Sequence, residues 1–337
     1  MRVFYIGATG YLGGSVLKRV LNVYPHAQVA ALVRSEKDIP AVKGFGVQEV
    51  ISGSFEDLAL IRKHSSIADL VVQTANADDE ALMGAILEGL KERFDSTSVR
   101  PVLLHTSGAG VIMDRSPGSM TEEAEKRPWD DLDEQRINAI PSDAVHRALD
   151  ELIFKADFAG FVDGWIICPP LVYGESSGPI PRESAQVPYL VQAAIQSGTA
   201  FYFGEGTSVW SNVHIDDCVN LYEIVLRYAL KPETRAHKSS PYSKFFFAES
   251  GKHSWAELAG VIASVLHSLG VLGRDVPVSL PFTKGEEMVG PLVWGACSNA
   301  ICVATRGRLL GWSPGRRDWE DGVRSDVERI AKRICAQ

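Results

Sequence analysis

Short apolar runs alternate with stretches of helical spacing through the first half of the chain. Val3–Ile6, Val29–Val33, Val47–Ile51, Leu70–Thr74 and Val102–His105 are rich in Val, Leu and Ile, and most are apolar on both faces. Strands buried on both faces read this way, which is the condition of a parallel sheet covered by helices on each side. Between these runs, Leu12–Val23, Leu58–His64 and Asp78–Phe94 carry the helical period. The alternation predicts an α/β chain folded as a doubly wound parallel sheet. A further helix is expected at Ser142–Asp157, with Ser142 as its cap and Ala144, Val145, Ala148, Leu149 and Leu152 on its apolar face. Gly164–Cys168 is the next strand, stopped by Pro169-Pro170.

Two segments interrupt the rhythm. Gly108–Pro141 is polar, holds Pro117 and Pro128, and carries the acidic cluster Asp130-Asp131-Leu132-Asp133-Glu134. It is expected to form a long, partly irregular loop or a pair of short helices beside the site, since loops of this length in compact domains are usually functional or disordered. After Gly174, Pro, Gly and Ser recur as far as Pro188, which marks the boundary of a second region. Helices are expected there at Tyr189–Ser197, Asp217–Leu230 and Ser254–Leu269, and a strand at Lys244–Ala248.

The most informative turn is Gly7-Ala8-Thr9-Gly10-Tyr11-Leu12-Gly13, between the first strand and the first helix. A dinucleotide pyrophosphate needs close backbone approach, and free N–H groups at a helix N-terminus where the dipole favours anions. Gly7, Gly10 and Gly13 meet those needs, and Gly13 also lets the helix pack tightly on the strand. The spacing is G-x-x-G-x-x-G, and its position between strand and helix is what gives it weight, the alternative being a simple tight turn. The second strand ends at Val33-Arg34-Ser35. An acidic residue there would accept from the ribose 2′-OH of NAD. Arg34 instead suits a 2′-phosphate by charge and fork geometry, so NADP(H) is the expected cofactor; the alternative is an ordinary solvated arginine at a strand end. On this reading residues 1–174 form the NADP(H)-binding Rossmann-type domain. Residues 175–337 are mainly a smaller substrate-covering region, with 211–250 returning to the first domain.

Composition narrows the partners. The chain has 337 residues, 45% hydrophobic and 23% charged, close to the globular average. Lys and Arg number 34 against 42 Asp and Glu, a net charge of −8, which argues against coating nucleic acid or an anionic membrane. The five cysteines are odd in number and form no C-x-x-C, so reduced thiols are expected and no zinc spacing is present. The N-terminal apolar run is too short for a signal-peptide core, and no apolar stretch is long enough to span a bilayer. A cytoplasmic protein acting on a small molecule is the expectation.

Together the motifs resemble the short-chain dehydrogenase/reductase superfamily, in its extended and atypical branches, which include sugar-nucleotide epimerases and dihydroflavonol-reductase-like proteins. The matching pieces are the glycine turn, Leu104-His105-Thr106-Ser107, Pro169-Pro170-Leu171-Val172-Tyr173-Gly174, Val213-His214-Ile215-Asp216-Asp217 and Leu310-Gly311-Trp312-Ser313-Pro314. The stretch from Thr106 to Pro170 is similar to uncharacterised fungal epimerase/dehydratase-like proteins. The resemblance implies a cofactor held by Gly7, Thr9, Gly10, Tyr11, Leu12 and Gly13, with Arg34 on the adenosine phosphate and Thr74, Ala75, Arg147 and Pro169 along its length. It makes Ser107 the active-site serine, which would polarise a substrate carbonyl; a turn or capping serine is the alternative. It also makes a homodimer through the Asp78–Phe94 and Ser142–Asp157 helices an expectation.

The chain departs from the family in one respect. The reductive chemistry uses a Tyr and a Lys four residues on, along one helix face. No Tyr-x-x-x-Lys occurs in Gly108–Gly160. Aligning Glu151 with the glutamate that often follows the lysine puts Arg147 at the lysine position and Asp143 at the tyrosine position. Arg147 can donate to ribose hydroxyls but cannot shuttle a proton. Asp143 is a poor donor unless burial raises its pKa. His146 suits acid/base work by its ordinary pKa, though adjacency to Arg147 turns it about 100° around a helix, and a surface histidine is equally consistent. Tyr173 is a further candidate donor or a wall of the substrate pocket, and His105 is expected to be structural.

Ser177–Tyr189 and Phe201–Trp210 are expected to cover the substrate with Pro179, Tyr202, Phe203 and Trp210, with Arg182 their one basic group. That favours an apolar or aromatic small molecule over a sugar nucleotide, which needs more positive charge; these aromatics are equally consistent with ordinary core. Three functions remain open: an NADP(H)-dependent oxidoreductase on a small carbonyl, imine or enone; an NADP(H)-sensing regulator without catalysis; and a non-redox isomerase or cyclase that keeps the cofactor as scaffold.

Overall fold

The structure, a computed structural model, describes residues 1–236, 239–316 and 318–336. Strand and helix alternate from the start: β1 (Arg2–Ile6), α1 (Tyr11–Val23), β2 (Gln28–Val33), α2 (Ile39–Gly44), β3 (Glu49–Ser52), α3 (Leu58–Ser65), β4 (Leu70–Gln73), α4 (Glu80–Thr97) and β5 (Val102–Thr106). The excursion after β5 holds α5 (Glu122–Lys126), β6 (Trp129–Asp130) and α6 (Glu134–Asn138), and α7 (Arg147–Phe158) and β7 (Asp163–Cys168) restore the alternation. The main sheet is parallel and seven-stranded, in the order β11-β7-β5-β4-β1-β2-β3, where β11 is Phe245–Phe247. The expected doubly wound α/β fold is therefore the observed one. Because β2 and β4 leave β1 in opposite directions, a crevice opens outside the carboxyl ends of β1 and β4, where such sheets bind ligands.

The rest forms a smaller layer. Before β11 it contains β8 (Leu171–Tyr173), α8 (Gln186–Ser197), β9 (Phe201–Phe203), β10 (Val209–His214), α9 (Ile215–Ala229) and α10 (Pro232–Ala236). After β11 come β12 (Gly251–Ser254), α11 (Trp255–Ser268), β13 (Val278–Leu280), α12 (Phe282–Val289), β14 (Cys302–Val303), α13 (Thr305–Leu309) and α14 (Trp319–Cys335). A second sheet runs β12-β10-β8. Helix α9 packs on α1, and β11 joins the edge of the main sheet, so this segment of the chain touches both layers.

Local chemistry sets the element ends. Asp79 caps α4 by accepting from Leu82 N–H, and α4 ends on Ser98 in the left-handed region. Ser254 and Glu257 form a reciprocal capping box at α11. Helix α14 has no counterpart in the sequence reading above, although Asp318 caps it and Val323, Val327 and Ile330 bury one face.

The expected Ser142–Asp157 helix is corrected: α7 begins at Arg147, and Ser142 and Asp143 lie exposed in the turn before it. The cause is Asp78. Its carboxylate accepts from both the backbone N–H and the ring Nδ1–H of His146, at 3.0 and 2.9 Å. Holding both donors places His146 at φ 68°, outside the helix, as its N-cap. The acidic cluster in the excursion is structural. Asp130 accepts from the Thr305 hydroxyl, Asp133 caps α6, and buried Asp131 accepts from the backbone N–H groups of Phe247 and Arg306.

Candidate active site

The glycine turn sits at the mouth of the crevice. Gly7 has φ +107°, and a Cβ there would overlap the Thr74 side chain. A Cβ on Gly13 would overlap the Gly7 carbonyl oxygen. Each glycine thus fixes a close approach between β1, β4 and α1. Tyr5 OH donates to Gly13 O at 2.6 Å, and Thr74 Oγ1 donates to Ile6 O at 3.0 Å. Gly10 caps α1 with no side-chain acceptor, and the first turn of α1 carries no acidic residue. The N-terminal N–H groups are left for an external anion, and the residues fit a dinucleotide pyrophosphate. Tyr11 OH donates to Gly174 O at 2.8 Å, joining the turn to the end of β8.

Arg34 stands exposed at the end of β2 with its guanidinium 4.5 Å over the Phe55 ring. It makes no ion pair among the described residues. The stacking orients the planar fork without consuming its donors, which is what capture of a phosphate requires. Thr74 and Ala75 follow β4 at the rim of the crevice, with Ala75 exposed. Pro169 is buried at the end of β7, where its carbonyl accepts from Ala109 N–H.

Beside this cradle, the ends of β4, β5 and α7 bring together two acid–base pairs. Ser107 follows β5, and its hydroxyl donates to Asp150 Oδ2 at 3.2 Å. Asp150 is fully buried on α7, and its Oδ1 has no hydrogen-bond partner. Burial raises this carboxyl to about 7, against the lowering effects of the Ser107 hydrogen bond and the Arg147 charge. The second pair is His146 and Asp78. Because Asp78 holds Nδ1, the Nε2 edge faces the Gly108–Gly110 backbone; a Cβ on Gly108 would meet it at 3.0 Å. Beneath them, His105 Nδ1–H donates to Gln73 Oε1 at 2.8 Å, and Gln73 donates on to Asn76 O. Burial lowers His105 to about 3, so it stays neutral, with Nε2 unpartnered.

The remaining candidates are dispersed. Arg147 is buried, but its Nη2 donates to Asn138 O at 3.2 Å, and its Nε lies 3.7 Å from Glu151. It also lies 5.4 Å over the Phe154 ring. Adjacent His146 faces Asp78, so the two neighbours serve different surroundings. Asp143 is not on a shared helix face with Arg147, because it precedes the helix. It lines a cleft of about 460 Å³ with Gly110, Val111, Met113, Trp129 and Arg136. Tyr173 is buried in the smaller layer with its OH donating to Arg316 O at 3.1 Å, so its proton is committed there. His214 caps α9 by accepting from Asp216 N–H.

Phe203 and Trp210 are core residues of the smaller layer, 1% and 4% exposed, and Trp210 packs against Trp255. Arg182 reaches back to the glycine turn. Neither Asp78 nor Asp150 is among the site residues that the sequence suggests. Asp150 carried a signal there: a carboxylate on the inward face of a helix, between Leu149 and Ile153.

No family model matches the chain. It is 26% identical over 330 residues to "Oxidase ucsJ" of Acremonium sp, covering 93% of this chain and 92% of that one. It is 27% identical to an uncharacterized protein, C2A9.02, of Schizosaccharomyces pombe, covering 97% and 99% of the two chains. Among solved structures, it superposes on a UDP-glucose 4-epimerase from Thermotoga maritima with a TM-score of 0.67 at 16% identity, over 99% of this chain and 100% of that one. A dTDP-glucose 4,6-dehydratase, DesIV of Streptomyces venezuelae, solved with NAD and TYD bound, gives 0.66 at 18% identity, over 99% and 97%. The fold is the one these epimerase and dehydratase structures share.

Proposed function

We propose that this chain is an atypical short-chain dehydrogenase/reductase that binds NADP(H) and acts as an oxidoreductase on a small apolar or aromatic carbonyl, imine or enone. The observation that carries the reading is that the glycine cradle follows β1 and the buried serine–carboxyl pair follows β5, on the same edge of the sheet with only β4 between them. A bound nicotinamide supplies or accepts the hydride. The chain's residues supply the rest. Arg34 holds the 2′-phosphate, and the backbone of Thr9–Gly13 holds the pyrophosphate. With Asp150 protonated and donating to Oγ, the Ser107 hydroxyl turns to the substrate oxygen or nitrogen; its O–H proton goes to the substrate and the Asp150 proton replaces it on Oγ. The Asp150 carboxyl sits near 7, so it exchanges a proton readily at neutral pH. His146, held by Asp78, keeps its Nε2 edge beside the loop that follows Ser107.

The test has two parts. NADPH binding followed by fluorescence is expected at micromolar affinity or tighter, and NADPH oxidation is expected with members of a carbonyl and enone panel. Absence of binding overturns the cofactor reading, and binding without turnover on a broad panel overturns the oxidoreductase reading. The lack of a Tyr-x-x-x-Lys pair in Gly108–Gly160 favours a second reading, an NADP(H)-sensing protein without catalysis. Indistinguishable affinities for NADP+ and NADPH would count against it. A homodimer through α4 and α7 belongs to the first reading, and sedimentation as a 36.7 kDa species alone would remove it.

A further inference from the structure

The segment from Gly174 to Arg182 lies across the first turn of α1 as a strap. Gly178 packs against Gly14 so closely that a Cβ on either would meet the other's Cα within 2.6–2.9 Å. Ser177 N–H donates to Ser15 Oγ at 3.0 Å. Ser176 Oγ donates to Arg182 O and accepts from Arg182 N–H, which fixes the strap's far end. From there the Arg182 side chain returns to the glycine turn. Its Nε donates to Thr9 O at 3.3 Å, and its Nη2 lies 3.7 Å from Asp38 Oδ2.

One guanidinium therefore bridges the turn after β1 and the segment after β2. Those are the two places where the cofactor reading puts the pyrophosphate and the adenosine 2′-phosphate. The local charge matters. Glu36 and Asp38 both follow β2, and the Asp38 carboxylate is largely buried with no hydrogen-bond donor among the described residues. A 2′-phosphate placed beside Arg34 would meet these carboxylates, which Arg34 and Lys37 only balance. Arg182 adds the cation that makes the neighbourhood positive. Its contacts at 3.3 and 3.7 Å are long and its side chain is half exposed, so it is held near the cradle with donors to spare.

We propose that Arg182 is a phosphate ligand of the cofactor and, with Arg34, a determinant of preference for the 2′-phosphorylated dinucleotide. The proposal rests on the cofactor reading above. It assigns to the cofactor a residue that the sequence pattern placed over the substrate. It also makes cofactor binding hold down the strap that leads into α8 of the smaller layer.

The test is calorimetric titration of NADP+ and NAD+ into the full chain, as wild type, Arg182→Ala and Arg182→Lys. A charge-assisted hydrogen bond of this kind corresponds to a loss of roughly 10- to 100-fold. Arg182→Ala is expected to weaken NADP+ within that range and NAD+ by less than about threefold, with Arg182→Lys recovering part of the loss. The melting temperature without cofactor should stay the same, because the side chain is half exposed. Unchanged NADP+ affinity in Arg182→Ala overturns the proposal. An equal loss for both dinucleotides overturns the claim of preference. If wild type binds neither dinucleotide, the cofactor reading falls and this proposal falls with it. If wild type binds NADP+ and Arg182→Ala binds it equally well, only this proposal falls.

Discussion

The glycine turn and the entrance to α7 lie side by side at the crevice, but they are built by opposite means. The turn is made of backbone. Its shape comes from side chains that are missing, at Gly7 and Gly13, and its charge comes from helix N–H groups. The entrance to α7 is made of side chains drawn from distant parts of the chain. Ser107 comes from β5, Asp150 from α7, Asp78 from the loop before α4, and His146 is forced out of the helix to join it. A backbone site tolerates change around it but no added atom within it. A side-chain site tolerates added atoms nearby but no loss of a partner.

The largest expected effect breaks the first half of that comparison. Gly13→Ala pushes a methyl group into the Gly7 carbonyl. Overpacking of this kind costs about 1–3 kcal/mol of stability, read as a lower melting temperature, and cofactor affinity should fall by about 100-fold. Wild-type NADP+ affinity in this variant would mean that the turn is not the cradle.

Next comes Asp150→Asn, which keeps the shape and removes the acid. The rate of carbonyl reduction is expected to fall by about 10²- to 10³-fold, with NADPH affinity within about threefold of wild type. In wild type, reduction needs the protonated carboxyl, so the rate falls as pH rises through about 7. In the variant that step should disappear. Stability gives an independent reading. The folded carboxyl is raised from 3.8 to about 7, so the folded chain holds a proton that the unfolded chain has lost. Its contribution is complete below about 4 and is lost as pH rises through about 7. Asp150→Asn should flatten the fall in melting temperature across that window, though not abolish it, because buried Asp131 is raised to about 7 as well.

A smaller effect sharpens the second half. His146 occupies the left-handed region at φ 68°, where a side chain with a Cβ is strained and glycine is not. His146→Gly is therefore expected to be more stable than His146→Ala by about 1 kcal/mol in chemical denaturation. Both should lose activity alike. If alanine is the more stable, the ordinary helical start at Ser142 holds in solution and Asp78 does not pull the chain out.

The smallest effect concerns Arg147. It faces Asn138 and Glu151, so Arg147→Lys should change NADP+ affinity by less than about twofold. A tenfold loss in the same titration would return this residue to the cofactor.

Legibility in the sequence follows the same division. The strands of the main sheet appear where apolar runs stand, within a residue or two at each end, because burial on both faces of all but edge strand β3 leaves a local record. The glycine spacing is local too. Helix α7 was misplaced at its start because the decisive group, Asp78, lies 68 positions away in sequence. The spacing of Asp143 and Arg147 looked informative only while both were assumed to be helical. Arg182 was assigned to the substrate region because its distance from Thr9 along the chain, 173 positions, hides the return of the strap. Tyr173 and Trp210 stay open in the sequence between pocket and core, because aromatic residues look alike in both until neighbours such as Arg316 and Trp255 are known.

The pairing of β6 with β14 has a consequence for how the molecule comes into being. Trp129 N–H donates to Ile301 O, Asp114 accepts from the Asn299 side chain, and Asp131 accepts from the N–H groups of Phe247 and Arg306. The excursion between β5 and α7 is thus anchored by Phe247, Asn299, Ile301 and Arg306, all synthesised well after it. Strands β1 to β5 need none of these residues to pair. During vectorial synthesis the phosphate cradle can form while the wall beside Ser107 still waits for its anchors. A nascent or C-terminally shortened chain would therefore be able to capture dinucleotide before it could do chemistry with it.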